Sequence, residues 1–111
     1  MRIILISFFH LSLLFADAFV LSEDEKRWIR QNPDVHFAGD PNWLPFEAFD
    51  KNGRYIGIVA EYLALIESQT GLHFVPHIAK EWSESLEVAR EGKVSVVSGD
   101  IADKHLNKGL D

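Results

Sequence analysis

The stretch Val35-His36-Phe37-Ala38-Gly39-Asp40-Pro41-Asn42-Trp43-Leu44-Pro45-Phe46 decides the fold. Val35 to Gly39 has the apolar content of a short buried strand. Asp40 to Pro45 cannot hold regular structure, because two prolines in five positions remove backbone donors and fix φ. A strand therefore runs into a stiff loop. Phe46 to Phe49 is then a short extended piece. Asp50-Lys51-Asn52-Gly53 reads as a turn, since Asn52-Gly53 suits positive φ, and Tyr55 and Ile56 make the return strand.

Downstream, Gly57 opens a helix that continues to about Gln69. Val59, Tyr62, Leu63 and Ile66 fall at i, i+3, i+4 and i+7, which is one helix face. Gly71 is placed to end it in the left-handed conformation. Leu72 to Ile78 alternates as a strand. A third helix starts at Trp82 or Ser83, passes through Leu86, Val88 and Ala89, and stops at Gly92. Val94 to Ser98 is a short apolar strand, Ser98-Gly99-Asp100 a turn, and the remainder is polar. Upstream, Ser22 and Glu25 form a capping box, which sets a helix from about Glu23 to Gln31, ended by Pro33. Its apolar side holds only Trp28, Ile29 and Leu21, so it lies on something else.

The order is helix, strand, hairpin, helix, strand, helix, strand. Strands alternating with helices predict an α/β fold with a mostly parallel sheet flanked by helices. In such sheets ligands bind at the carboxyl ends of the strands. Two loops sit there: Asp40 to Phe46 after the first strand, and Ser98 to Asp100 after the last.

Composition narrows the function. The 111 residues suffice for one compact domain, and 47% hydrophobic with 25% charged residues is a globular balance. The net charge of −6 and the absence of any Lys/Arg run argue against nucleic acid as a partner. There is no cysteine, which excludes disulfides, thiolate zinc sites and Cys nucleophiles. Arg2, the apolar run Ile3 to Phe15 and the small-residue site Ala16-Asp17-Ala18 together read as a signal peptide cleaved after Ala18, the competing readings being an uncleaved anchor or a buried first helix. The apolar run is shorter than the ~20 residues that cross a bilayer. Export to the periplasm is the expectation.

In the first loop, Trp43 and Phe46 supply flat apolar surface, and Asp40 a charge-assisted acceptor for an ammonium or hydroxyl group. The prolines reduce the entropy lost when such a loop holds a ligand. The competing reading makes Trp43 and Phe46 core residues and Asp40 a turn cap. Backbone N–H groups at Ser98-Gly99-Asp100 suit an anion, though the Asp100 charge opposes it, and a plain surface turn is the competing reading. His73 and His77 share a strand face without a third ligand, so no metal site is expected. The pairs among Glu23, Asp24 and Glu25, and Glu84 with Glu87, read as solvated helix faces. Ser98 lies in Val-Val-Ser-Gly-Asp, not in a nucleophile elbow, and no phosphate-binding glycine motif is present. No catalysis and no cofactor are expected.

Three stretches resemble the family 3 periplasmic solute-binding proteins, and more closely the Venus-flytrap domains in the periplasmic part of sensor kinases. They are Leu21 to Ile29 with Asn32-Pro33, Gly39 to Glu47, and Gly53 to Leu63; Thr70-Gly71-Leu72 and Glu81-Trp82-Ser83 also fit. The resemblance implies a type II periplasmic-binding-protein-like fold of two α/β lobes closing on a small ligand. Residues 1–18 would be the signal peptide, 19–34 a lead-in helix, and 35–111 an incomplete first lobe, with the second lobe missing. It further implies that Trp43 packs on the ligand with Asp40 and Phe46 in the same loop. Trp82 then approaches the cleft, and Ser98, Gly99 and Asp100 lie where backbone meets a ligand carboxylate. Ser95 stands where the family has an acidic residue, and Leu106 about where it has an arginine. The implied function is periplasmic binding of an amino acid or similar polar metabolite as the sensory input to a downstream kinase module. The alternatives are a freestanding receptor delivering solute to a membrane permease, the regulatory domain of a lytic transglycosylase, and a truncated fragment without function.

Overall fold

The structure is a computed structural model, and it describes residues 19–99. The expected signal peptide, and Asp100 with everything after it, lie outside the described residues. The central strand is β1, Asp34–Ala38. Val35, Phe37 and Ala38 are buried while Asp34 and His36 are exposed. Burying a side chain such as Phe37 contributes about 1.5–3 kcal/mol.

Chain order gives α1 (Glu23–Gln31), β1, β2 (Asn42–Trp43), β3 (Glu47–Phe49), β4 (Tyr55–Ile56), α2 (Ile58–Thr70), β5 (His73–Pro76), α3 (Trp82–Arg90) and β6 (Val96–Val97). The strands form two sheets. One is parallel, in the order β5-β1-β6, with Asp34 opposite His73 and Phe37 opposite both Pro76 and Val96. The other is an antiparallel meander β2-β3-β4, with Asn42 opposite Ala48 and Ala48 opposite Ile56. Because β1, β5 and β6 run the same way, the chain leaves all three at one end of the sheet, at Gly39, His77 and Ser98.

The capping box forms as expected: Glu25 N–H donates to Ser22 Oγ at 3.1 Å, and Ser22 N–H to Glu25 Oε1 at 3.2 Å. No residue of α1 is buried, so its order rests on local terms.

One expectation is corrected. Asn42 and Trp43 pair as a strand although Asp40 to Pro45 was expected to be irregular. The prolines stand at 41 and 45, outside the paired residues, which keep their N–H groups. On α2, Val59, Tyr62, Leu63 and Ile66 share a helix face as their spacing implies, but Tyr62 is 63% and Ile66 39% exposed. The helix instead turns Ala60, Leu63 and Glu67 toward Phe37, Tyr55 and Phe74, and Glu67 Oε2 accepts the Phe74 N–H at 3.1 Å. Its start is locked onto the first loop. The N–H groups of Ile58 and Val59 donate to the carbonyls of Pro45 and Phe46 at 3.0 and 2.9 Å, so helix-end donors that could take an anion are already used. Only glycine fits at 57: its φ is 111°, and a Cβ there would stand 2.6 Å from the Phe46 carbonyl oxygen.

On the other side, α3 packs on β1 and β6 through Leu86, which is fully buried. Ser85 Oγ, also buried, donates to the Gly39 carbonyl at 2.7 Å. This bond brings the first turns of α3 to the strand end where the loop begins.

Candidate functional site

The loop Gly39 to Phe46 forms a rim at the carboxyl end of the parallel sheet, and β6 delivers Ser98-Gly99 beside it. Asp40 is half-buried. Its Oδ1 accepts the Asn42 N–H at 2.8 Å in an Asx turn, and Oδ2 has no partner among the described residues. The Trp43 ring lies 4.7 Å from that of Phe46, tilted by 47°. Its Cζ3 would be 3.8 Å from a Cβ placed on Gly99, so the indole bridges the first loop and the last turn. Trp43 is half-buried and Phe46 is 44% exposed. Neither is a core residue. Leu44 and Ile78 add exposed apolar surface at the same end of the sheet.

Trp82 begins α3 and is half-buried. It sits three residues before Ser85, on the same helix face; no ring contact joins it to Trp43 among the described residues. Asp100 lies outside the described residues.

Ser98 is drawn inward. Its Oγ stands 2.8 and 2.6 Å from the two carboxylate oxygens of Glu47, and its single proton is shared between them. Glu47 is 1% exposed. Its Oε1 also accepts the Asp40 N–H at 2.6 Å, and its Oε2 the Tyr55 hydroxyl. Burial pushes the Tyr55 phenol far above its ordinary range, and the hydrogen bond to Glu47 and the charge of Glu47 push it further. Tyr55 therefore stays protonated and donates. Glu47 fills the space beside Gly39: a Cβ at 39 would meet Glu47 Oε2 at 2.5 Å and Ser98 Oγ at 2.8 Å, so a larger residue there displaces the carboxylate or the hydroxyl.

Sequence reasoning did not single out Glu47, Tyr55 or Ser85. The one available signal was a carboxylate at the head of an otherwise apolar extended segment, Glu47-Ala48-Phe49, facing a return strand that begins with Tyr55.

A cavity of about 240 Å³ lies between α2 and the sheet, lined by Phe37, Tyr55, Leu63 and Phe74 with Arg54 and Glu67 at its polar edge. None of the expected ligand residues lines it. His73 meets Asp34 at 3.1 Å, and His77 meets Glu84 at 3.6 Å, so the two histidines have separate partners. No group of three or more His, Asp or Glu among the described residues is placed to hold a metal ion. None of the described helices is long and apolar enough to cross a membrane.

No protein-family model matches the sequence. The chain is 41% identical over 56 residues to the sensor protein EvgS of Escherichia coli O157:H7, a match covering 50% of this chain and 5% of that protein. Among solved structures, it resembles the periplasmic VFT2 domain of Bordetella pertussis BvgS, with a TM-score of 0.66, 24% identity, and coverage of 80% of this chain and 38% of that one. It also resembles a putative ABC-transporter binding component from Wolinella succinogenes complexed with lysine, with a TM-score of 0.58, 19% identity, and coverage of 70% and 34%. The parallel sheet, the helices on its faces and these neighbours agree on the fold: the described residues have the periplasmic-binding-protein-like architecture of one lobe.

Proposed function

We propose that this chain binds a small polar solute on the rim made by Asp40, Trp43, Phe46 and the Ser98-Gly99-Asp100 turn, with Trp82 flanking it, as the input of a periplasmic sensor. One observation carries the reading. An indole that is neither core nor fully exposed stands beside Gly99 at the carboxyl end of a parallel sheet, in the same loop as an Asp40 oxygen that has no partner among the described residues. A flat apolar surface beside a carboxylate suits a ligand carrying an ammonium or hydroxyl donor, and one charge-assisted hydrogen bond contributes about 1.5–3 kcal/mol. An amino acid or a related metabolite has these groups. The lysine held by the Wolinella protein supports that class, and the sequence match to EvgS supports sensing over transport or enzyme regulation.

In this reading, residues 1–18 are the export signal, 19–34 the lead-in helix, and 35–111 the first-lobe segment. The lobe binds without catalysis or a cofactor and passes its occupancy to a kinase module. Burying most of a ligand's surface needs a second lobe facing this rim.

The test is thermal melting with and without amino acids and related polar metabolites, for the wild-type chain and for Trp43→Ala. A ligand at 100 times its Kd stabilises by about 2.7 kcal/mol, which is a readable shift. The expected result is a shift with at least one amine-bearing compound that Trp43→Ala abolishes. No shift with any compound, or a shift that survives Trp43→Ala, contradicts the proposal.

A further inference from the structure

Glu47 is buried, yet every partner it has belongs to the rim or to the hairpin behind it. The Asp40 N–H, at the start of the first loop, donates to Oε1. The Ser98 hydroxyl, at the end of β6, reaches both oxygens. The Tyr55 hydroxyl, from β4, donates to Oε2. These donors come from three segments of the chain up to 58 residues apart, counted from Asp40 to Ser98. In the β2–β3 ladder Glu47 is itself the residue opposite Trp43.

Stability alone gives a poor reason for a carboxylate here. Taking a charge out of water costs several kcal/mol, and an apolar side chain of similar volume commonly does as well or better. A carboxylate offers direction instead. Each oxygen accepts along fixed lone-pair directions at 2.6–2.8 Å, so donors from separate segments are held in mutual register. The surrounding sequence is arranged for this, since Gly39 lacks the Cβ that would displace the carboxylate.

We infer that Glu47 is a positioning residue for the ligand rim: its carboxylate ties the first loop, the hairpin and the last turn together, and so fixes the Trp43 indole against Gly99. This rests on the binding role proposed above for that rim. It also divides the expected site. Trp43, Phe46, Gly99 and the Asp40 carboxylate face outward to a ligand, while the Ser98 hydroxyl is spent on Glu47 and serves as a strut. Affinity then depends on a residue that never touches the ligand, because binding to a pre-fixed rim avoids the cost of ordering it.

The experiment incorporates 5-fluorotryptophan into the full chain and records 19F spectra, the three tryptophan signals being assigned by single Trp→Phe substitutions. Glu47→Gln, Tyr55→Phe and Ser98→Ala are compared with Leu86→Val, which weakens the core under α3 and leaves every hydrogen bond of Glu47 in place. The expected result is a shifted and broadened Trp43 signal in the three network variants, an unmoved Trp28 signal, and an unmoved Trp43 signal in Leu86→Val. Glu47→Asp, one methylene too short to reach all three donors, should behave like Glu47→Gln. If Glu47→Gln does not fold, Tyr55→Phe and Ser98→Ala decide. A Trp43 signal that stays in place in the folded network variants, or that moves equally in Leu86→Val, overturns the inference. This readout needs no ligand, so it stands apart from failure of the binding proposal. With L-lysine as the probe, a wild-type chain that binds should lose about tenfold in affinity on Glu47→Gln, the equivalent of one lost buried hydrogen bond. Unchanged affinity would also overturn it.

Discussion

Ser85 and Gly39, 46 residues apart, are joined by a buried hydrogen bond of 2.7 Å from the serine hydroxyl to the glycine carbonyl. The bond docks the first turns of α3 on the end of β1, where the rim loop begins. Ser85→Ala leaves a buried carbonyl without its partner, which costs about 1–3 kcal/mol. Ser83→Ala, on an exposed part of the same helix, should stay within about 0.5 kcal/mol of wild type. Urea unfolding of both variants is the check; equal midpoints would show that the bond does not hold α3 in place.

Gly39→Ala puts a Cβ into the space of the Glu47 carboxylate and the Ser98 hydroxyl. Overpacking of this kind costs about 1–3 kcal/mol. Glu47→Ala in the same chain vacates that space, so the double variant should lose less than the sum of the single losses, with a coupling of about 0.5–3 kcal/mol. Additive losses in a double-mutant cycle would mean that Gly39 is not reserved for Glu47.

Helix α1 holds itself in order by its capping box and exposes every side chain at least in part. Ser22→Ala removes the acceptor for the Glu25 N–H and should cost the helix about 1 kcal/mol. Amide exchange within Glu23–Gln31 should speed up, while the global unfolding midpoint stays put. A global midpoint that falls with it would show that α1 is coupled to the core.

Tyr55 gives the alkaline limit. Its pKa is raised in the folded chain, first by burial and then by Glu47. The unfolded chain therefore releases this proton near pH 10 while the folded chain keeps it. The sign follows: the contribution is complete below that pH and is lost as pH rises beyond it. In a Tyr62→Phe background, phenolate absorbance near 295 nm should appear only together with loss of far-UV helix signal. Ionisation that precedes unfolding would show that the phenol is open to solvent.

The order of elements was legible because it rests on short-range terms. The Ser22–Glu25 capping box, the Asn52-Gly53 turn, the glycine stops at 71 and 92, and the apolar run at 35–39 each act within a few residues. Strand–helix alternation then gave the parallel sheet, and the proline-braced loop gave Asp40, Trp43 and Phe46 as rim residues. The structure sets Trp43 beside Phe46 and near Gly99.

What only the tertiary structure decided are the relations between distant segments. That Glu47 turns inward to meet Asp40, Tyr55 and Ser98, that Ser85 reaches Gly39, and that α2 leaves Tyr62 and Ile66 in the open all depend on which surfaces meet. The physical reason is that a carboxylate or hydroxyl turns inward only where packing supplies its hydrogen-bond partners, and an apolar helix face is covered only where another surface meets it. Burial is set by the partners that packing brings, and no local pattern encodes a partner 50 residues away.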